Sequence, residues 1–398
     1  CEPFTFFASG NGFSAGQMEQ MDVVREHLVG ALGWKPGPES TAAFIIDSGE
    51  LPPSKRGCAM PEDLGLRLTG PFEHELALCH KDALARIARE APAGSALSSS
   101  PPRTLDVGDP ALDAEVPCSG SNSRYITKGV AHGGREIWQP ETFEDLRSRL
   151  GLKGCPQSEV NQTRVDALPR FQVRVVQEIL QTLQWEGRNI LSRSFFAVLR
   201  RGRTSMCPAR GRWKLGLGVG YDLYMFSEPY FVLYDGVVLD DAPKHRTLRR
   251  NGTELDAYLR SLPAGAGFPL RPGESFVQST FMPYVAEVTK AAFLASEYLP
   301  DGRDAYSRAG LEPDGSYFFF AAEFLLEPRG GIRLVEYTSV PQVTSVTHGP
   351  STAFLPQRLG TQFAALLLKS AGQPASSEGG HLLDYPDWRR LASREAFP

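Results

Sequence analysis

The chain lacks any run of eighteen consecutive apolar residues, so no segment of its 398 residues reads as a bilayer-spanning helix. It also lacks a basic excess: Lys and Arg total 42 against 46 Asp and Glu, a net charge of -4. A surface dedicated to nucleic acid needs a cationic surplus on some face, so no nucleic-acid partner is expected. The local clusters at Arg200–Arg203 and Lys244–Arg250 are read as solvated surface. No internal repeat is visible, which argues against a solenoid. Cysteine is sparse. The six residues Cys1, Cys58, Cys79, Cys118, Cys155 and Cys207 form no CxxC pair and no Cys/His metal spacing, which argues against a zinc site. Their even number permits up to three disulfides and establishes none.

What is present is ordinary for a soluble globular protein: 41% hydrophobic and 22% charged residues. Two glycosylation sequons occur, Asn161-Gln-Thr and Asn251-Gly-Thr. Together with a chain that begins at Cys1, they point toward a secretory or organelle lumen. A free N-terminal Cys can also be a nucleophile activated by its own amine, but no second feature of that chemistry lies nearby.

Pattern and punctuation divide the chain into three parts. In residues 1–57 an apolar run at Phe4, Phe6 and Phe7 precedes a helical stretch marked by Met18, Met21, Val24, Leu28 and Leu32. A strand at Ala42–Ile46 then completes a small α/β unit before Pro52, Pro53 and Gly57 break the chain. Residues 58–180 begin with a helix at about Glu75–Glu90. The Ala-, Ser- and Pro-rich stretch at about 91–117 reads as a loop or linker. Strands follow at Arg124–Gly129 and Glu136–Trp138, then a helix at Phe143–Leu150 and a strand at Arg174–Leu180. Residues 181–398 hold strands at Ser194–Leu199, Lys214–Gly220 and Tyr230–Leu239 and a long helix from about Gly273 to Glu297. A hairpin then joins Ser316–Glu327 to Ile332–Tyr337 through the turn Pro328–Gly331. A last helix at about Ser351–Ser370 precedes a tail with no clear element. The expected class is α/β (α+β).

Three constellations carry chemistry. Lys128 ends the strand Tyr125-Ile-Thr-Lys, where one ammonium can be aimed at phosphate oxygens, and Gly133 and Gly134 follow in a turn that lets backbone amides approach a phosphate. Gln177, Glu178 and Ile179 end a strand whose backbone and apolar neighbours suit a purine edge, although a plain core strand would read the same way. Most informative are Glu323, inside Phe318-Phe-Phe-Ala-Ala-Glu-Phe-Leu-Leu326, and Glu336, inside Arg333-Leu-Val-Glu-Tyr-Thr338. A carboxylate in an apolar strand is costly unless it is paired or bound to metal. Two of them on one hairpin can hold a hard cation through oxygens; the alternative is that a carboxylate pairs with an Arg.

In this order the features resemble tubulin–tyrosine ligase and its relatives, which are ATP-grasp enzymes. The resemblance runs along nearly the whole chain. It includes Phe4-Thr-Phe-Phe, Gly33-Trp34-Lys35, Leu51-Pro52-Pro53 and Leu78-Cys-His-Lys-Asp-Ala-Leu84. It continues through Tyr125–Lys128, Gly133–Ile137, Val175–Leu180, Gly187-Arg188 with Arg193, Leu233-Tyr-Asp-Gly236, and the hairpin followed by Pro341.

The resemblance implies an ATP-grasp fold with a small N-terminal domain and central and C-terminal subdomains. It implies ATP and Mg2+ as cofactors, and addition of an amino acid to an acidic or C-terminal carboxylate of a peptide or protein through an acyl-phosphate. Lys128 would contact the phosphates, and Gly133, Gly134 and Ile137 would form a lid over them. Gln177, Glu178 and Ile179 would line the adenine pocket, and Arg193 would stabilise charge at the γ-phosphate. Glu323, Glu336 and Thr338 would bind magnesium, and the family's location points to the cytoplasm. Departures exist. Asn189 and Leu191 replace the family's Lys and Asp, Glu323 is longer than its Asp, and Thr338 replaces its Asn. They open the alternative of an inactive relative that acts as a binding or assembly component.

Overall fold

The computed structural model describes residues 5–8, 35–36, 44–46, 68–69, 77–107, 109, 111–129, 136–153, 155, 172–201, 220–234, 248–263, 267–268, 270–296, 315–339, 352, 354–370 and 386–395. The elements begin with strands β1 (Thr5–Ala8), β2 (Lys35–Pro36), β3 (Phe44–Ile46) and β4 (Leu68–Thr69). A 3-10 turn (Ala77–Cys79) leads into α1 (Lys81–Glu90), α2 (Ala96–Ser99), β5 (Thr104–Asp106), α3 (Leu112–Glu115), β6 (Tyr125–Lys128), β7 (Ile137–Trp138) and α4 (Phe143–Leu150). Next come β8 (Val175–Glu178), β9 (Gln184–Trp185), β10 (Arg188–Arg201), β11 (Gly220–Phe226), β12 (Tyr230–Tyr234), β13 (Leu248–Asn251) and α5 (Gly252–Ser261). A π turn (Val277–Phe281), α6 (Met282–Ala295), β14 (Gly315–Leu326), β15 (Ile332–Ser339), α7 (Leu355–Ser370) and β16 (Trp388–Glu395) complete the order. The class is mixed α and β, as the sequence predicts.

Two sheets organise these elements. The larger runs β13-β12-β10-β14-β4-β3-β1-β2, with β15 on β14, and β11, β16 and β9 reached through β10. Its N-terminal strands are parallel, and β4 joins them to the start of β14. The rest is antiparallel and centred on β10, which pairs with β14 along one edge and with β12 and then β11 along the other. The smaller sheet has the order β5-β8-β6-β7.

Strand alternation gives the large sheet two different faces. On one face Ile190, Phe196 and Val198 of β10 join Phe231, Leu233, Phe320, Phe324, Leu334 and Tyr337 in the main core. Helix α6 covers them with Val285, Val288, Ala292 and Phe293, and α1 adds Leu84 and Ile87. Each large apolar side chain fully buried there contributes about 1.5–3 kcal/mol. On the other face Phe195, Phe319, Phe363 and Trp388 pack together, with ring centroids 5.2 Å apart for Phe319 and Phe363. That cluster fills one end, and the polar residues Arg193 and Glu323 follow it along the same face. Arg358 of α7 fastens this end by bonding Asp387 and Glu228, each at 2.6 Å.

Local sequence explains the helix ends. Thr142 caps α4 by accepting from the Asp145 amide, and Gly151 closes it in the left-handed region at φ 68. Asn251 and Glu254 form a reciprocal capping box on α5, so the Asn of the second sequon also serves as a helix cap.

Several expectations change. The stretch at 91–117 is not a plain linker: it contains α2, β5 and α3 and buries Leu97, Leu105, Leu112 and Val116. Its Ser residues act as caps and docking groups. Ser95 accepts from the Ser98 amide, and Ser100 accepts from the Leu334 amide of β15. The tail after α7 carries β16, which adds to β11 and buries Trp388. The segment read as one strand at 194–199 belongs to a strand of 14 residues. The sequence reading also missed β9, β13 and α5. The N-terminal helical stretch, residues 214–219, Cys1 and Asn161 lie outside the described residues.

Cys118 and Cys155 form a disulfide with Cα atoms 5.5 Å apart, and Cys79 is buried in the main core. The bridge closes a sequence separation of 37 residues on the lobe of the small sheet. Closing a loop of that size stabilises the fold by about 3–4 kcal/mol. Reduction, or Cys118→Ser, should therefore lower the denaturant midpoint of this lobe. Equal unfolding curves with and without reductant would overturn that assignment.

Candidate functional site

The polar face of the large sheet is built by register. Glu336 lies opposite Glu323, Glu323 opposite Arg193, Arg193 opposite Tyr230, and Tyr230 opposite Asn251. One row of side chains therefore crosses five adjacent strands: β15, β14, β10, β12 and β13. Neighbouring strands stand about 4.8 Å apart, so the row spans about 19 Å. A β-bulge after Glu323 shifts the register, so that Phe324 meets Leu334 while Glu323 still meets Glu336.

Two carboxylates placed directly opposite on one face repel each other. Each here has its own cation. Arg193 Nη2 bonds Glu323 Oε1, and Arg193 Nη1 donates to Tyr230 Oη at 3.1 Å. Glu323, only 6% exposed, also accepts from Thr338 Oγ1 at 3.2 Å. Lys81 Nζ at the start of α1 approaches Glu336 Oε2 at 3.8 Å. Burial alone would lower the pKa of Arg193, but Glu323 and Tyr230 together raise it. Tyr234, on the same face of β12, is pushed up to about 12 by burial and then by the Glu323 charge.

The small sheet contributes Lys128. Its strand partners are Val175 on one side and Ile137 on the other. Ile126 and Gln177 are paired neighbours, whereas Tyr125 and Val176 turn to the opposite face and pack with Leu105 and Leu146. Lys128 is 4% exposed. Burial lowers its pKa; Glu336 opposes that shift, Lys81 adds to it and Glu323 opposes it. The two sheets thus bring Lys128, Lys81, Arg193, Glu323, Glu336 and Thr338 into one electrostatic cluster.

The remaining predicted residues divide. Ile137 is half-buried beside Lys128. Gln177 is buried and donates from Nε2 to Thr104 Oγ1 at 3.0 Å. Glu178 lies 3.7 Å from the Arg124 guanidinium. The backbone amides of Glu178 and Ile179 donate to the carbonyls of Arg103 and Arg124, so a purine edge would have to be read by other groups of this strand end. Gly133 and Gly134 lie outside the described residues. Among the described residues no group of three or more His, Cys, Asp or Glu side chains could hold a metal ion by itself.

Sequence reasoning gave no site role to Tyr230, quoted Lys81 and Tyr234 only within resembling segments, and read Arg249 as part of a solvated cluster, whereas it is half-buried. Lys81 had a signal: a cation at the first position of a helix opposes the helix dipole, so a Lys there is better accommodated beside an acidic partner. Arg249 had none, since its place over the Tyr230 ring, at 5.2 Å, depends on the pairing of β12 with β13. No family model matches the chain, and no curated protein matches it either.

The Arg193–Glu323 pair, with its carboxylate buried and its guanidinium half-buried, yields a stability prediction. Glu323→Leu leaves that guanidinium without its carboxylate and should destabilise by about 3 kcal/mol, while Arg193→Met with Glu323→Leu should recover most of that loss. Chemical denaturation of Glu323→Leu, Arg193→Met and the double variant measures it, and strict additivity would argue against a coupled pair. A second prediction concerns alkaline pH. A tyrosine whose folded pKa lies above its unfolded value stabilises fully below about pH 10 and loses that contribution as pH rises toward 12. Tyr234→Phe should flatten the decline in stability across that window.

Proposed function

We propose that this chain is an ATP-dependent carboxylate–amine ligase on an ATP-grasp fold, similar to tubulin–tyrosine ligase-like enzymes. The observation that carries the reading is the cluster itself. Lys128 from the small sheet lies in the fields of Glu336, Lys81 and Glu323, and with Arg193 the cluster sets three cations against two carboxylates. A buried surplus of positive charge suits a polyphosphate, and bound phosphates would counter the burial that lowers the Lys128 pKa.

The residues also fit a magnesium ion. That ion binds through one or two carboxylates together with substrate phosphates, and Glu323, Glu336 and the Thr338 hydroxyl supply oxygens on one face. When bound, magnesium would neutralise charge on the transferring phosphoryl group. Arg193 would hold Glu323 in place through its Nη2 and remain aligned by the Tyr230 hydroxyl. Lys81, beside Glu336, would add its positive charge to the binding of the phosphates. The reaction class moves the γ-phosphoryl group to a carboxylate oxygen, leaving ADP, and an amine then displaces phosphate to form the amide. The acceptor would be a peptide or protein carboxylate and the amine an amino acid.

A second reading has its own support. Asn189, in the place of the family's Lys, is bonded to Thr182 and to Gln184 Nε2 at 2.7 Å, and Leu191 is uncharged. Loss of those charges on the strand that carries Arg193 favours an inactive relative that keeps the fold as a binding or assembly component.

Thermal unfolding with Mg2+ and AMP-PNP separates the outcomes. Saturation at about a hundred times Kd should stabilise by about 2.7 kcal/mol only when both are present. Glu336→Gln should remove the magnesium-dependent part, and Lys128→Met should weaken nucleotide affinity at least about tenfold. No shift from either component would sink the ligase reading. A shift with no ATP turnover under any acceptor and amine mixture would favour the binding component.

A further inference from the structure

Lys128 is supported from behind. Strand alternation turns Tyr125 and Thr127 of β6 away from the face that carries Lys128. Tyr125 packs there with Leu146 of α4, and Phe143, Leu150 and Leu152 close around the same cluster. Hydrogen bonds fix the first end of α4. The Phe143 amide donates to the Gly120 carbonyl at 2.9 Å, and Asn122 donates from its amide to Glu141 and from Nδ2 to Pro140. Along the helix, Arg147 donates to the carbonyls of Asp113 and Val116. Beyond the other end, Cys155 is joined to Cys118, and this is the covalent one among these ties. The bridge encloses β6, β7 and α4 within one loop, with Lys128 inside it.

We propose that the Cys118–Cys155 bridge is a redox switch on Lys128. Oxidised, it clamps α4 behind β6 and keeps the Lys128 ammonium, 4% exposed, in the charge cluster. Reduced, it lets α4 loosen and frees that ammonium from its fixed place. The bridge is within reach of a reductant, because Cys118 is exposed and Cys155 half-buried. Exposed disulfides are the ones that exchange with dithiols. A dithiol attacks one sulfur, the S–S bond breaks, and Cys118 and Cys155 end as two thiols. The dithiol supplies the two electrons and two protons and is itself oxidised to a disulfide. The layer behind β6 is also poised to open. Among the described residues, the Tyr125 hydroxyl and one carboxylate oxygen each of Glu115 and Glu144 are buried without a hydrogen-bond partner. Such atoms favour any state in which water reaches them. Use of a nucleotide to report the change rests on the ligase reading; the movement of Lys128 does not.

Pulse acetylation with an N-hydroxysuccinimide ester, read by mass spectrometry, compares the full chain oxidised, reduced with dithiothreitol and reoxidised with diamide. We expect reduction to speed labelling of Lys128 at least about fivefold, and reoxidation to reverse it. The exposed Lys290 of α6 should label alike throughout. Affinity for Mg·AMP-PNP, by calorimetric titration, should fall by a similar factor on reduction. Cys118→Ser should match the reduced chain and respond to neither reagent. Equal labelling of Lys128 in the oxidised and reduced chains overturns the switch, as does failure of Cys118 and Cys155 to pair under diamide. Measurable but equal nucleotide affinity of the two forms overturns it as well. So does a loss of far-UV ellipticity on reduction, which would make the bridge a structural staple alone. If labelling follows the bridge but no nucleotide binds either form, the ligase reading fails and the switch stands.

Discussion

The antiparallel pairing of β10 with β14 sets the position of everything else. Its register, from Leu191 opposite Leu325 to Leu199 opposite Tyr317, decides which side chains face α6 and which face the site. A slip of one residue would exchange the two sets, driving Arg193 and Glu323 under the helix and Phe196 and Phe324 onto the polar face. The core forbids that exchange, because Ile190, Phe196, Phe320 and Phe324 are fully buried. Ser192 helps hold the register from inside the core by donating to the Phe324 carbonyl at 3.1 Å. Apolar packing on one face thus positions charge on the other.

The charge pattern on that face is a balance. Glu323 and Glu336 sit opposite each other, and each is held by a cation from a different element: Arg193 from β10 and Lys81 from α1. Lys128 adds a third cation from the small sheet, under the fields of both carboxylates. The site therefore belongs to no single lobe. Its parts are brought together by the same contacts that hold β15 to the segment before β5, where Ser100 accepts from the Leu334 amide and Arg333 donates to the Ser99 carbonyl.

Much of this was legible in the sequence where local and tertiary signals agree. The hairpin could be read because a long β-prone run is interrupted only by Glu323, and its partner strand carries Glu336 at the matching place. Helix α4 was predicted over its observed range, since Thr142 and Gly151 mark both ends. The stretch at 91–117 misled because Ser and Pro are read as linker composition, whereas Ser95 and Ser100 here cap and dock. Strand β16 offered no alternation strong enough to read, and it exists because β11 presents an edge to it. The pairing of Lys81 with Glu336, and of Arg249 with the Tyr230 ring, depends on contacts between distant segments that no local pattern encodes.

The long separation across β10 and β14 has a kinetic consequence. Arg193 and Glu323 are 130 residues apart, and the strands that carry them must close that loop before either is neutralised. Pairing of such high contact order forms slowly and late. The small sheet, closed locally and stapled by Cys118 and Cys155, can form on its own schedule. The charged row would then be among the last features to assemble, so that an incompletely folded chain carries its acids and bases but not the geometry that makes them a site.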